Sequence, residues 1–327
     1  MANNSKPQPE KPLNQAVIDW RLDGDPAIRW QTMRDLVGSS ADAVAAERAR
    51  VSTEGVGAQL LALQEPDGSW SGTAFNHGWD STMHILSLLR ELGLDPMSPE
   101  AQNATARVRE GVTWRGWDWN GTWRGMDFEG TPFFAGEVEP CINGQVAASG
   151  AYFRQDVTRI IDRLLGEQLA DGGWNCEAEN RSIRSSFNTT ICVLEGLLEY
   201  ELAGGGDTIV REARLRGQEY LLERQLFLRQ STGEVVNPAW LRFSFPNWWH
   251  YDVLRGLDYL RKAQIMPDKR LQKAVDLVRS KRRRDGRWLL EHQHEGRMLI
   301  EVNEGVGQPS RWITLKALRI LDWISSQ

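Results

Sequence analysis

One short pattern recurs along this chain: Gln64-Glu-Pro-Asp67-Gly68-Ser-Trp70, then Gln168-Leu-Ala-Asp171-Gly172-Gly-Trp174 and, without the glutamine, Arg284-Asp285-Gly286-Arg-Trp288. Each copy directly follows an amphipathic stretch with helical spacing, so each marks a helix end and a tight reversal. Asp-Gly supplies the left-handed residue such a reversal needs. The indole can stack on the next helix end, and the glutamine can bond its free backbone groups. Weaker copies fill the gaps: Asn120-Gly121-Thr-Trp123 keeps glycine and tryptophan, Ser231-Thr-Gly233-Glu keeps the glycine, and Asp23-Gly24 opens the series. Six turns, about fifty to sixty residues apart after the first, match the period of helical-pair repeats.

Between the turns, Leu, Ile, Val and Ala recur at three- and four-residue spacing, and no alternating stretch asks for a strand. Residues 41–63, 157–168, 208–225 and 271–281 carry a charged face and read as outer helices. Residues 26–36, 81–92, 142–153, 189–200, 251–262 and 313–324 are more apolar and read as inner helices, the first with Asp25 as N-cap and Pro26 at its first position. Two of them share a core string, Val193-Leu-Glu-Gly-Leu197 and Val253-Leu-Arg-Gly-Leu257. Strict alternation predicts an all-α fold of about six outer–inner pairs in two concentric rings, closed so that neither end exposes an apolar face. This reading assigns 15–327 to one toroid domain and 1–14, polar and proline-containing, to a disordered leader.

Charge narrows the partners. Lys+Arg of 39 against Asp+Glu of 44 gives a net charge of -5 without long charge blocks, which does not suit nucleic acid. No stretch approaches the length of a membrane span. The cysteines Cys141, Cys176 and Cys192 are sparse and odd in number, as expected of free thiols in a reducing cytoplasm. The unusual figure is 15 tryptophans, which signals a repeated structural role or an aromatic-walled cavity.

The Gln-x-x-Asp-Gly-x-Trp turn resembles the repeat of squalene–hopene and oxidosqualene cyclases, whose α/α toroid is similar to that of protein prenyltransferase β subunits. The resemblance runs from about Trp20 to the C-terminus and implies a toroid whose cavity opens at one end of the inner ring, an enzyme and a hydrophobic, isoprenoid-type substrate. From the prenyltransferases it also implies a partner subunit, at a surface the sequence does not locate. Class II terpene cyclases protonate through an Asp-x-Asp-Asp motif, and this sequence has no such string. Protein prenyltransferases hold zinc through Asp-x-Cys at one inner-helix entrance and a His after two aromatics at another. Glu139-Pro-Cys141 looks like the first element and Trp248-Trp249-His250 like the second, so the resemblance implies zinc on Cys141, His250 and Glu139. Such a set leaves a fourth position for water or substrate. The alternative is that Cys141 is a small buried hydrophobe and His250 is bonded to nearby backbone.

Because every outer helix hands over to an inner one, all inner helices direct their N-termini to the same end, and candidate chemistry belongs there. Glu139, Asp252 and Asp80 are the candidate acids and bases; set against these are a solvated first-turn carboxylate for Asp252 and a helix N-cap for Asp80. Trp79, Trp117, Trp119, Trp248, Trp249, Arg311 and Trp312 are the candidate cavity wall. The aromatic segment from Trp114 through Phe134 reads as wall, lid or packed loop, with Arg124, Arg242 and Arg311 available to an anionic head group. Cys176 and Cys192 read as packing, and His292-Gln-His294 as a solvated loop. Two other classes remain open. A carbohydrate-active barrel needs facing carboxylates among Asp80, Asp127, Glu129, Glu139 and Asp252. A non-catalytic module would hold a lipid or a partner without perturbed acids or thiols.

Overall fold

The computed structural model describes residues 15–119, 121–178 and 180–326; the expected leader lies outside the described residues. Six outer–inner pairs follow one another along them. The first is α1 (Gln15–Leu22) with α2 (Pro26–Thr32), and the second is α3 (Ala41–Ala49) and α4 (Gly55–Ala62) with α5 (Thr82–Leu92). Then come α6 (Pro99–Gly111) with α7 (Pro140–Tyr152) and α8 (Thr158–Gly166) with α9 (Phe187–Leu202). The last two are α10 (Thr208–Glu223) with α11 (Val253–Lys262) and α12 (Gln272–Ser280) with α13 (Arg311–Ser325). Outer helices bury one stripe, such as Ile160, Ile161 and Leu164 of α8, whereas α5 is buried from Thr82 through Arg90. The inner ring closes on itself. Trp30 Nε1 of α2 donates to Leu92 O at the end of α5 at 3.1 Å, and Arg319 of α13 reaches back to Gln31 at 2.9 Å.

The three strong turns are built from the same atoms. The indole N–H of Trp70, Trp174 and Trp288 donates to the carbonyl ten residues earlier, Leu60, Leu164 and Val278, at 2.8, 2.6 and 2.8 Å. The backbone N–H of each tryptophan donates to a threonine hydroxyl of the next inner helix, Thr82, Thr190 or Thr314, at 3.1, 3.0 and 3.1 Å. Gly68, Gly172 and Gly286 carry φ of 88°, 94° and 86°. Where the glutamine is present it spans two outer helices: Gln64 Nε2 donates to Gly68 O and Ala104 O, and Gln168 Nε2 to Gly172 O and Ala213 O. The staple therefore ties an outer helix to its own inner helix and to the next outer one.

Three local readings change. The outer stretch 41–63 is two helices joined by a short 3-10 turn, because Gly55 takes φ of 68° and the Asp25 carboxylate, already capping Ala27 N of α2, also accepts from Val56 N at 2.8 Å. α6 is a further outer helix, whose Asn, Thr, Arg and Glu cover most of its surface and whose buried stripe is only Ala101, Ala104, Thr105 and Val108. The weak copy at Gly121 ends no helix: Trp117–Trp119 (β1) and Thr122–Arg124 (β2) form an antiparallel hairpin with Trp117 opposite Arg124. Its Trp123 is 63% exposed, against 0% for Trp70, Trp174 and Trp288.

The axis of the ring is not an open tube. α7 and α9 approach closely through Gly144 and Gly196, where an added Cβ on Gly144 would lie 2.5 Å from Cys192 O. Gln145, Ser87, Glu195 and Arg255 meet at mid-height around a void of about 30 Å³. Arg255 donates to both oxygens of Glu195 at 2.8 and 2.9 Å and holds the carbonyls of Trp248 and His250. This polar plug leaves two separate cavities, one at each end. Among the described residues no helix is long and apolar enough to cross a membrane.

Candidate functional site

At the end where the inner helices start, a cavity of about 210 Å³ is walled by Phe75, Trp117, Ile142 and Trp249 and floored by Gln145. Loops rather than helices supply most of it. Phe75 and His77 follow the first strong turn, and Asn175, Cys176 and Glu177 follow the second. Trp117 comes from the hairpin, which His77 anchors through its Nε2 at 2.7 Å from Asp118 O, and the rings of Phe75 and Trp117 meet edge to face at 5.3 Å.

One wall carries reactive groups. Glu139 sits at the entrance of α7, before Pro140, with Oε1 accepting from Arg124 at 2.7 Å and Oε2 accepting from the Cys141 thiol at 3.6 Å. Cys141 Sγ lies 2.9 Å from Cys176 Sγ, and Cys176 is also 3.4 Å from the Thr189 hydroxyl. Ligand atoms of Glu139, Cys141 and Cys176 all fall within 4.8 Å of one another. Burial raises the Glu139 carboxyl although Arg124 opposes it. Its hydrogen bond with Cys176, and then burial, push the Cys141 thiol well up. Beneath them Glu137 accepts from Glu139 N at 2.6 Å, and burial pushes its carboxyl up to about 8, so it stays protonated at neutral pH. Asn143 pins this loop by bonding both the N–H and the carbonyl of Glu137. Burial thus opposes ionisation at both Glu139 and Cys141 on this wall.

The structure brings Glu139 and Cys141 together as the sequence spacing requires, and adds Cys176, which had read as packing. His250 lies outside this cluster. Cys141 on α7 and His250 in the loop before α11 belong to repeats two places apart around the ring, whereas the loop bearing Cys176 leads into the neighbouring α9. His250 instead stacks on Trp249 and on His294, both at 3.7 Å between centroids, and burial pushes it down to about 4. His294 is correspondingly not a solvated loop residue: it is half-buried, 3.2 Å from the Ser244 hydroxyl, and burial pushes it down to about 3. Cys192 is buried in α9, and burial lifts it to about 12, which agrees with packing.

Several candidate residues do other work. Asp252 caps α11 through Arg255 N at 2.8 Å, and its other oxygen holds Ser244 N and Asn247 Nδ2 at 3.0 and 2.7 Å. It is a buried bracket between loop and helix, neither a solvated first-turn carboxylate nor a cavity acid. Asp80 accepts from Asn76 at 2.8 Å and pairs with Arg297 at 3.4 Å, and it is Ser81 that precedes α5. Trp79 stacks on Trp248 at 5.3 Å with its N–H on His294 O, so this pair packs the loop beneath the His250 stack. Trp248 holds a φ of 53° and faces the mid-height void. Arg311 sits at the seam of the ring, bonding Trp20 O at 3.1 Å and pairing with Glu304, and Trp312 stacks on Phe245 at 4.5 Å toward the opposite end. Asp127, Glu129 and Arg242 are exposed. The side chain of Trp119 lies outside the described residues. Of the expected wall, Trp117 and Trp249 line the cavity.

Comparison with known proteins gives no match to a family model and none to a curated protein. Among solved structures the chain is similar to a protein from Actinoplanes, at 17% identity and TM-score 0.44 over 92% of this chain and 90% of that one. It is similar also to the type II terpene cyclase MstE from Scytonema without ligand. A single-substitution variant of that cyclase gives 17% identity and TM-score 0.44 over 92% and 86% of the two chains, and MstE itself 17% and 0.42 over 93% and 88%. The ring of six helix pairs stands on its own contacts.

Proposed function

We propose that this protein is an enzyme acting on a hydrophobic small molecule, of isoprenoid type, held in the aromatic cavity at the N-terminal ends of the inner helices, with zinc at Glu139, Cys141 and Cys176. The observation that carries the reading is the convergence of one carboxylate and two thiols on the wall of that cavity. The donor set fits: zinc takes thiolates and carboxylate readily, and a bound dication favours the ionisation that burial opposes in Cys141 and Glu139. Bound there with three protein ligands, the metal would supply a Lewis-acid position open toward the cavity.

The chain's own groups divide the remaining tasks. Phe75, Trp117 and Trp249 exclude water and hold an apolar body; Arg124 orients Glu139; protonated Glu137 fixes the Glu139 backbone without adding a second charge beside it. Thiols of this kind require a reducing compartment such as the cytoplasm. The carbohydrate reading is weaker, because Asp80 and Asp252 are tied elsewhere, and the two carboxylates on the cavity wall, Glu139 and Glu177, are both paired to Arg124.

The test is elemental analysis of the purified protein with mass spectrometry of co-purifying lipid, followed by cobalt substitution. One equivalent of zinc is expected, and cobalt should give a thiolate charge-transfer band that falls by half in Cys141→Ser or Cys176→Ser and persists in His250→Ala. A metal-free protein whose band is absent with cobalt, or a band lost in His250→Ala alone, overturns this ligand set.

A further inference from the structure

The larger cavity is at the other end. It measures about 520 Å³ and lies where the inner helices finish, among Gly93, Tyr152, Leu202 and Lys262. No part of it belongs to the thiol site, from which the Arg255–Glu195 plug separates it.

Its walls carry more positive charge than the protein neutralises. Asp258 is shared by Arg261, Lys262 and Lys316 at 2.9, 3.5 and 3.9 Å. Glu91 is shared by Arg90, Lys262 and Lys316 at 3.3, 3.6 and 3.3 Å. Asp35 takes both Arg34 and Arg319. Glu199 pairs with Arg90, and Glu195 is divided between Arg90 and the plug residue Arg255. Arg48 finds only neutral acceptors, Gly93 O at 2.9 Å and the Tyr152 hydroxyl at 3.0 Å. Among the described residues seven cations thus share five carboxylates, and Arg48 adds an eighth positive charge. Arg90 and Arg319, more than nine-tenths buried on this cavity, each keep an Nε–H with no acceptor. Behind Arg319, Arg21 is fully buried and none of its guanidinium nitrogens is bonded. Burial, together with neighbouring Arg261 and Arg34, pulls Arg319 down to about 10.

Helix C-termini attract cations, and Arg48 serves one of them. The neighbouring carbonyls are met by neutral donors instead: Leu92 O by Trp30 Nε1, Glu91 O by Gln31 Nε2 and Leu94 O by the Tyr152 hydroxyl. At the end of α5, therefore, the carbonyls do not absorb the excess.

We propose that this C-terminal cavity binds a small phosphorylated molecule carrying at least two phosphate groups. An excess of about three charges corresponds to two phosphates near neutral pH, and guanidinium forks match phosphate oxygens in geometry. The apolar wall of Leu198 and Leu202 and the volume beyond two phosphates leave room for an organic part. The site is independent of the zinc reading.

Titration calorimetry with inorganic pyrophosphate at low ionic strength tests it, with sodium sulfate as control and circular dichroism to show that each variant is folded. Saturable one-to-one binding is expected, weakened about tenfold in Arg261→Gln and further in the double variant with Lys262→Gln, and unchanged in Cys141→Ser. Arg261 and Lys262 are partly exposed, so these variants keep their fold. Absence of saturable pyrophosphate binding, equal binding of sulfate, or undiminished binding by the folded double variant overturns the proposal.

Discussion

The three stapled turns and the three loops that follow them make opposite use of the same position in the repeat. At Trp70, Trp174 and Trp288 the same indole bond, threonine bond and left-handed glycine recur within a few tenths of an ångström. A few residues later nothing recurs. The first loop delivers Phe75 and His77 to the cavity, the second delivers Cys176 and Glu177, and the third stacks His294 on His250. Uniform staples place dissimilar loops at one end of the ring, so chemistry can vary there without touching what holds the helices together.

Substitutions can separate the two. The largest loss is expected for Trp174→Ala, which empties a fully buried site and removes the bond to Leu164 O. It should cost about 3–5 kcal/mol in urea unfolding, whereas Trp123→Ala on the hairpin should stay within about 0.5 kcal/mol. Equal costs would show that the staple is decorative. Next comes Gly172→Ala. At φ of 94° an added Cβ also lies 2.7 Å from Arg216 O, and a loss of about 2–3 kcal/mol is expected, against about 1 kcal/mol for Gly121→Ala, whose Cβ meets open space.

A pH-dependent effect belongs to Glu137. Its folded-state carboxyl is raised from 4.5 to about 8, so its contribution is fully present below about pH 4.5 and is lost as pH rises through about 8. Glu137→Gln should therefore melt higher than the parent at pH 8 and together with it near pH 4; a gap that does not change with pH would place the carboxyl in water. The smallest effect on stability is expected for Cys176→Ser in metal-stripped protein, within about 0.5 kcal/mol, although the same change should halve the cobalt–thiolate band. A thiol whose loss unfolds the stripped protein would belong with the staples.

What could be read from sequence follows the same division. The staples, the alternation of helices and the end of the ring where inner helices begin were legible because each is a local pattern repeated. Glu139 and Cys141 were legible because both sit in one helix entrance. Cys176 was not, since its meeting with Cys141 spans 35 residues and runs through an irregular loop. A signal did exist: Cys176 lies two residues beyond a staple, in the repeat next to that of Cys141, while His250 lies two repeats away. The hairpin also had a signal, Asn120-Gly121 between aromatic alternations, outvoted by likeness to the staple. The charged cavity had none, because its cations come from the π-helical turn after α2 and from α3, α5, α11 and α13, and each reads alone as helix surface.

Closure of the ring also bears on motion. In an open stack of helix pairs the end units face solvent on one side and fray first, so protection from hydrogen exchange falls toward both ends. Here α13 is fastened to α2 through Arg319 and Gln31, Arg311 holds the α1 carbonyl of Trp20, and the glutamines of two staples clamp successive outer helices to each other. Among the described residues no pair is terminal, and opening any one breaks two neighbours at once. Slow-exchanging amides should accordingly be spread evenly around the inner ring, with the first openings in the cavity-bearing loops, the segments that a ligand has to pass.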